Sequence, residues 1–238
     1  MDIYIFIYYM KGTRINAMSY NISWATQKNI EAGSEIDFVK RCGELYKNGG
    51  KQCTKNMLKK LKTLPKISLL GLQEVNSNIE PKIRKCQPAL NKHLRCNIGL
   101  SCVSLMWDKS VFGNVVEHMC FNMPLVKNEE RPCMVCLFVV DGESCIVTNI
   151  HAGWMEKPQH KTHVAKEIIK NIKKNKTIYD CLVDSKTRVI FIGDFNDVKR
   201  LITRHNPLRL PIRMKKTTKR GTKSGTLKLS HGLTKHKM

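Results

Sequence analysis

The 238-residue sequence predicts a protein of the α/β class. Two kinds of segment alternate along the chain. Short apolar runs, rich in β-branched residues, end in polar residues, as strands do, and longer segments carry apolar residues at helical spacing with lysines between them. A hydrophobic content of 42% is ordinary for a globular protein, and the length is sufficient to bury a sizeable core.

Six segments have the composition of strands, and the first, residues 13–24, alternates loosely and has Asn21 near its end. The others are residues 67–75, 98–107, 133–140, 144–150 and 189–192. Asp141-Gly142 lies between two of these strands and is typical of a hairpin turn. Residues 1–10 are apolar and aromatic, and we interpret them as an extra edge strand or as an upstream start ahead of Met10.

Three segments have apolar residues at helical spacing. The first begins near Ser34 and includes Tyr46, the second covers residues 57–64 and is ended by Pro65, and the third covers residues 160–175. We interpret the lysines of the third helix as a solvated face rather than as a surface that reads DNA.

The net charge of +23 favours a polyanionic partner, either nucleic acid or an anionic membrane surface. The alternative is a lysine-rich chain whose charges are simply solvated. No acidic residue follows Asp197, whereas thirteen lysines and arginines do. Residues 214–225 are basic and poorly patterned, and we interpret them as a loop or a disordered arm that holds phosphate backbones, or as an unfolded end.

Ten cysteines are distributed without a repeating frame, and Cys133, Cys136 and Cys145 lie inside apolar runs. We expect free, buried thiols and an intracellular protein, cytoplasmic or nuclear, since residues 1–10 are a poor signal peptide and are too short to span a bilayer. Cys133 and Cys136 match half of a zinc site, but on a strand their side chains point to opposite faces, so we do not expect zinc.

Several polar residues close apolar runs. Glu74 ends such a run, where a carboxylate is costly unless it is paired, hydrogen-bonded or bound to a metal, although a strand that surfaces there explains it equally well. Gly193 allows the backbone to turn, and Asp194 and Asn196, two residues apart, suit a hard metal ion and a phosphate, or an ordinary polar turn. His151, taken alone, is a structural histidine.

These positions occur in a recognisable order: Asn21 after the first strand, Gln73-Glu74 after LLGL, Asn149-x-His151 after CIVT, and residues 193–196 after VIFI. The series resembles the endonuclease/exonuclease/phosphatase superfamily over roughly residues 13–200. The resemblance implies a four-layer α/β/β/α sandwich of two packed mixed sheets. It also implies phosphoester hydrolysis with Mg²⁺ or Mn²⁺.

The resemblance further implies a role for each residue. Glu74 is the main metal ligand, and Asn21 beside it orients the metal or the phosphate. His151 binds the phosphate and stabilises charge in the transition state. Asp194 positions or activates the attacking water, and Asn196 binds a phosphate oxygen and fixes Asp194.

The match fails at the C-terminal end, where the superfamily has a Ser-Asp-His segment. Here Ser230-His231-Gly232 has no aspartate, and His231 is at most a remnant of that motif. We expect a truncated end, with the last strands missing and water activation impaired.

We therefore divide the chain into an N-terminal extension (1–12), the superfamily-like domain (13–200) and a basic tail (201–238) that is the incomplete end of the same domain. The predicted function is a metal-dependent phosphoesterase, monomeric and without a transmembrane segment, that acts as a nuclease on DNA or RNA. The alternatives are a catalytically impaired relic that binds nucleic acid through its basic surface, and a phosphatase for a small phosphorylated or lipid head group.

Overall fold

The computed structural model of the chain describes residues 4–22, 51–75, 79–99, 101–123, 131–152 and 160–194 and, within them, the side chains of all but 4–8, 51–53 and 160–163. These ranges contain nine strands and five helices. In chain order they are β1 (Tyr4–Met10), β2 (Thr13–Asn21), α1 (Lys51–Thr63), β3 (Leu69–Gln73), α2 (Ile79–Cys86), β4 (Lys92–Ile98), β5 (Ser101–Trp107), α3 (Lys109–Phe112), β6 (Glu117–Asn122), β7 (Pro132–Val140), β8 (Glu143–His151), α4 (His160–Ile172), α5 (Lys176–Val183) and β9 (Arg188–Asp194).

The strands form two mixed sheets. The first has the order β1-β2-β3-β5-β4, and the second has the order β6-β7-β8-β9. Neighbouring strands are antiparallel except for two pairs, β2 with β3 and β8 with β9, which are parallel. Residues 4–10 form an edge strand of the first sheet, which is one of the two interpretations that the sequence allowed.

The two sheets pack face to face, and helices cover both outer faces. The inner layer contains apolar side chains from both sheets, among them Leu69, Val103, Cys136, Phe138 and Ile190. Helices α1 and α2 cover the first sheet, and α4 and α5 cover the second. This confirms the four-layer α/β/β/α sandwich, in which the inner strands β3, β7 and β8 bury residues on both of their faces.

Two tight turns determine where neighbouring strands begin and end. The turn between β7 and β8 is as predicted, and the turn between β4 and β5 corrects a predicted strand. Asp141 and Gly142 both have positive φ, at 50° and 77°, which the tight turn between β7 and β8 requires. The predicted strand 98–107 is wrong in its first residues. Gly99, with φ of 52°, turns the chain between β4 and β5, so that Ile98 ends β4 and β5 begins at Ser101.

Some predictions fall outside the described residues, and some elements were missed. The helix predicted from Ser34 and the basic tail both lie outside the described residues. Strands β4 and β6, at the sheet edges, and helices α2 and α5 were not predicted. No helix in the described ranges is long and apolar enough to cross a membrane.

The eight cysteines whose side chains the structure describes are free thiols, and free thiols were predicted for all ten. Cys133 lies in the layer beneath α4, whereas Cys136 lies between the sheets, which confirms that the two side chains occupy opposite faces of β7.

The thiols are expected to differ in reactivity. Burial raises the pKa of Cys133 and Cys136 well above the ordinary value and that of Cys145 to about 12, so these thiols stay protonated near neutral pH. Cys120 is exposed, and a hydrogen bond with the Cys96 thiol lowers its pKa. Because the thiolate is the nucleophile, iodoacetamide at neutral pH should modify Cys120 in the native protein and spare these three until urea unfolds it. Mass spectrometry of peptides checks this, and equal labelling of Cys145 and Cys120 in the native protein would contradict it.

Candidate active site

The carboxyl ends of four strands meet at one end of the sandwich. In the parallel pair β2–β3, Asn21 is paired with Gln73, and in the parallel pair β8–β9, His151 is paired with Asp194. Parallel strands end at the same edge of a sheet, so each pair presents its last side chains together. Because the two pairs belong to sheets that face each other, polar residues from both sheets occupy one region.

Hydrogen bonds join these residues into one cluster. The amide nitrogen Nδ2 of Asn21 donates to Oε1 of Glu74 at 2.8 Å and to Oδ2 of Asp194 at 2.7 Å. Since one nitrogen contacts both oxygens, these oxygens lie no more than 5.5 Å apart. The ring nitrogen Nε2 of His151 lies 3.4 Å from the same Oε1 of Glu74. Side chains that are up to 173 positions apart in sequence therefore surround one small volume.

The four side chains differ in burial. The Glu74 side chain is 19% exposed and the His151 side chain 5%. Asn21 and Asp194 are half-buried. The histidine thus forms the inner wall of the cluster, and the acids lie nearer the solvent.

Backbone geometry beside both acids is unusual. Glu74 itself has φ of 55°, a left-handed conformation that glutamate rarely adopts and that costs about 1–3 kcal/mol. Gly193, just before Asp194, has φ of 153°, and a Cβ atom there would collide with the carbonyl oxygen of Ile150. The chain therefore needs glycine before one acid and tolerates strain at the other, which is typical of functional sites.

A network of buried amides lies beneath the cluster. Nε2 of Gln73 donates to Oδ1 of Asn149 at 2.7 Å, and Nδ2 of Asn149 donates to the carbonyl oxygens of Leu72 at 3.2 Å and Ser104 at 2.9 Å. Both amide side chains are fully buried. Asn149 belongs to the second sheet and all of its partners to the first, so this side chain holds the sheets together directly below the acids.

Four of the six residues predicted for the site are brought together, namely Asn21, Glu74, His151 and Asp194. Asn196 and His231 lie outside the described residues. Sequence reasoning noted Gln73 and Asn149 only as neighbours of site residues and missed the link between the sheets. The sequence did contain a signal for this link, because each apolar run has an amide side chain near its end. Burying an amide is costly unless it is hydrogen-bonded, so two such amides indicate partners inside the protein.

The donor set suits a hard divalent cation. In the part of the chain that the structure describes, no three His, Cys, Asp or Glu side chains are grouped so as to hold a metal ion. Mg²⁺, however, prefers oxygen ligands, keeps several waters and is bound through only one or two carboxylates. Two carboxylates, Glu74 and Asp194, within 5.5 Å of each other and joined by the amide of Asn21, meet that requirement.

Comparison with solved structures agrees with the fold. An endonuclease/exonuclease/phosphatase family protein from Bacteroides thetaiotaomicron matches with a TM-score of 0.52 and 17% identity, over 77% of this chain and 63% of that one. TDP2 from C. elegans matches with a TM-score of 0.51 and 19% identity, over 82% and 52%. The endonuclease/exonuclease/phosphatase from Bacteroides vulgatus matches with a TM-score of 0.50 and 16% identity, over 77% and 66%.

This chain thus spans between about half and two thirds of the length of those structures. No protein-family model matches the sequence, and no curated protein does.

Proposed function

We propose that this chain, which has the fold of the endonuclease/exonuclease/phosphatase superfamily, is a phosphoesterase that depends on a divalent cation. The observation that carries the proposal is the meeting of Asn21, Glu74, His151 and Asp194 at the ends of two parallel strand pairs. Two acids, an amide and an imidazole are groups that can hold a divalent cation, orient water and donate a hydrogen bond to a phosphate ester.

Glu74, assisted by Asn21, would hold Mg²⁺ or Mn²⁺. A bound divalent cation supplies charge neutralisation at the phosphate and stabilises the leaving oxygen. Asn21 donates to both Glu74 and Asp194, so it keeps the two carboxylates in a fixed relation before substrate binds. Such preorganisation lowers the cost of reaching the reactive geometry.

Asp194 and His151 would act on the reacting groups themselves. Asp194 accepts a hydrogen bond from the attacking water and orients it toward phosphorus. His151 donates a hydrogen bond to a phosphate oxygen, where negative charge increases in the transition state. Because His151 is almost fully buried, that hydrogen bond forms in a region of low dielectric constant, where it is stronger than in water.

Nucleic acid is the substrate that we propose, and the net charge of +23 supports it. Much of the charge in the described chain is accessible, since most of its lysines are exposed. A long polyanion contacts many such side chains at once, whereas a small phosphorylated head group contacts few.

Cleavage of labelled DNA and RNA oligonucleotides with Mg²⁺, Mn²⁺ or EDTA tests the proposal. Replacement of Glu74 by glutamine should lower the metal-dependent rate by at least about 10²-fold. Substitution of residues that only support a metal ligand can already lower activity by that factor, and Glu74 is proposed to be the ligand itself. Asp194→Asn should lower the rate by about 10²–10⁴-fold, as expected for loss of a group that activates water.

Glu167→Gln is the matched control for Glu74→Gln. The Glu167 side chain is 15% exposed, close to the 19% of Glu74, and its ion pair is with Lys170 on the same helix. This variant should retain the wild-type rate. Cleavage that persists in EDTA, or that is equal in the wild type and Glu74→Gln, would contradict the proposal. Hydrolysis of an inositol phosphate in preference to the oligonucleotides would overturn the choice of substrate alone.

A further inference from the structure

One arginine holds the backbone that follows Glu74. Arg95 lies on β4, which is an edge strand of the first sheet. Its Nη2 donates to the carbonyl oxygen of Val75 at 3.2 Å, and its Nε lies 3.2 Å from Oε1 of Glu80. The guanidinium therefore connects the residue next to Glu74 with the first turn of α2.

The segment that Arg95 contacts contains the strained residue. Glu74 has φ of 55°, and such a conformation persists only where the surroundings hold the chain on both sides. On one side, the Ile22 amide donates to the carbonyl oxygen of Gln73 at 3.1 Å. On the other, the Val75 amide donates to the Cys102 carbonyl at 3.3 Å, and Arg95 binds the Val75 carbonyl.

The partner of Arg95 fixes the direction of its guanidinium. The Glu80 side chain is only 3% exposed, and a carboxylate so deeply buried is retained where it is paired. The guanidinium carries its charge and several donors in one rigid plane. Arg95 can therefore pair its charge with Glu80 while Nη2 donates to the Val75 carbonyl. A lysine ammonium is a single point charge. We therefore expect lysine at this position to keep the ion pair with Glu80 but to lose the hydrogen bond to the Val75 carbonyl oxygen.

We propose that Arg95 is a positioning residue for Glu74: together with Glu80 it holds the backbone at 74–75 so that the Glu74 carboxylate faces Asn21 and the cation. The inference rests on the proposed function, because it assigns Arg95 a role in metal affinity. Arg95 does not touch the cluster, so its effect is exerted through the main chain of Val75.

The test is the affinity of the full chain for Mn²⁺, measured by electron paramagnetic resonance, with stability followed by urea unfolding. Arg95→Lys should weaken Mn²⁺ binding by about 10–100-fold, as is usual when the support of a metal ligand is lost. Arg84→Lys is the matched control. Arg84 also donates to a backbone carbonyl, that of Leu90, and contacts His93, and its substitution should leave Mn²⁺ affinity unchanged.

A second variant separates positioning from folding. Replacing Arg95 and Glu80 together by methionine removes the buried carboxylate and its partly exposed partner. Proteins often tolerate replacement of such an ion pair by apolar residues without loss of stability. This variant should unfold like the wild type and still bind Mn²⁺ at least about tenfold more weakly. Wild-type affinity in both Arg95 variants would overturn this inference alone, whereas a folded wild type that binds no Mn²⁺ would overturn the proposed function and this inference together.

Discussion

Replacement of Gly193 by alanine is expected to lower the free energy of unfolding by about 3–5 kcal/mol. The residue has φ of 153°, and an added Cβ would collide with the carbonyl oxygen of Ile150 and lie 2.6 Å from its Cγ2. Ile150 is the residue paired with Gly193 between the parallel strands β8 and β9. The collision is with backbone, which a rotamer change does not relieve, so the strands must separate at this point.

Separation there would displace Asp194, the next residue, from the amide of Asn21, which donates to it at 2.7 Å. If the proposed function is correct, phosphoester cleavage should fall by about 10²-fold even where the variant remains folded, because small displacements of reacting groups are that costly. Urea unfolding and oligonucleotide cleavage measure the two effects separately.

Gly142→Ala is the control that isolates the backbone strain. Gly142 has φ of 77° in the β7–β8 turn, but an added Cβ meets nothing within 4 Å. That variant should lose only about 1–2 kcal/mol, and cleavage should not change. Equal destabilisation by the two substitutions would show that the close approach of Ile150 is unimportant.

The sequence predicts the strands that lead to Glu74 and Asp194 well because their two signals agree. Residues 189–192 and 67–75 are apolar on both faces, as strands covered by layers on both sides must be, and each run ends in polar residues. The order of those polar ends along the chain carried the resemblance that implied which side chains meet. In the structure, the parallel pairs β2–β3 and β8–β9 bring these ends to one edge.

Two edge strands, β4 and β6, carry no such signal. In β6 half-buried and exposed residues alternate, but the sequence EHMCFN is short and mixed in composition. Strand β4 includes Lys92, His93 and Arg95. Charged residues are common in edge strands because they discourage pairing with another chain. The same charges interrupt the apolar pattern by which a strand is predicted from sequence. Arg95 illustrates the consequence, since its contact with Val75 depends on a strand that the sequence did not reveal.

The amide network under the site was equally hidden, because its partners come from separate strands. Asn149 on β8 bonds to Gln73, to the Leu72 carbonyl and to the Ser104 carbonyl, and only the stacking of the sheets brings these groups together. A hydrophobic pattern reports which face of a strand is buried. It does not report which polar atom of the opposite sheet will lie across from a buried amide.

Asn149→Ala is therefore expected to lower the free energy of unfolding by about 3–5 kcal/mol. The substitution removes three hydrogen bonds that cross between the sheets. It leaves one N–H of the Gln73 amide buried without an acceptor, while the contact with Ser19 Oγ at 3.3 Å remains, and each unsatisfied buried group costs about 1–3 kcal/mol. It also leaves a cavity beside Gly71, whose missing side chain already makes room for the Asn149 oxygen. Chemical unfolding followed by circular dichroism measures the change.

Asn171→Ala is the matched control, because Asn171 is also a buried asparagine with hydrogen bonds from its side chain. Its Nδ2 donates to the Glu167 carbonyl and its Oδ1 accepts from Lys174, so both partners lie within four positions of it. Removing these local contacts should lower the free energy of unfolding by about 1 kcal/mol or less. Alanine favours the helix, and water can replace the hydrogen bond that Lys174 loses. If the two alanine variants are destabilised equally, the amide of Asn149 is not what holds the sheets together beneath the acids. A much larger loss of unfolding free energy for Asn149→Ala would show that the Asn149 side chain is a main link between the two sheets below Glu74 and Asp194.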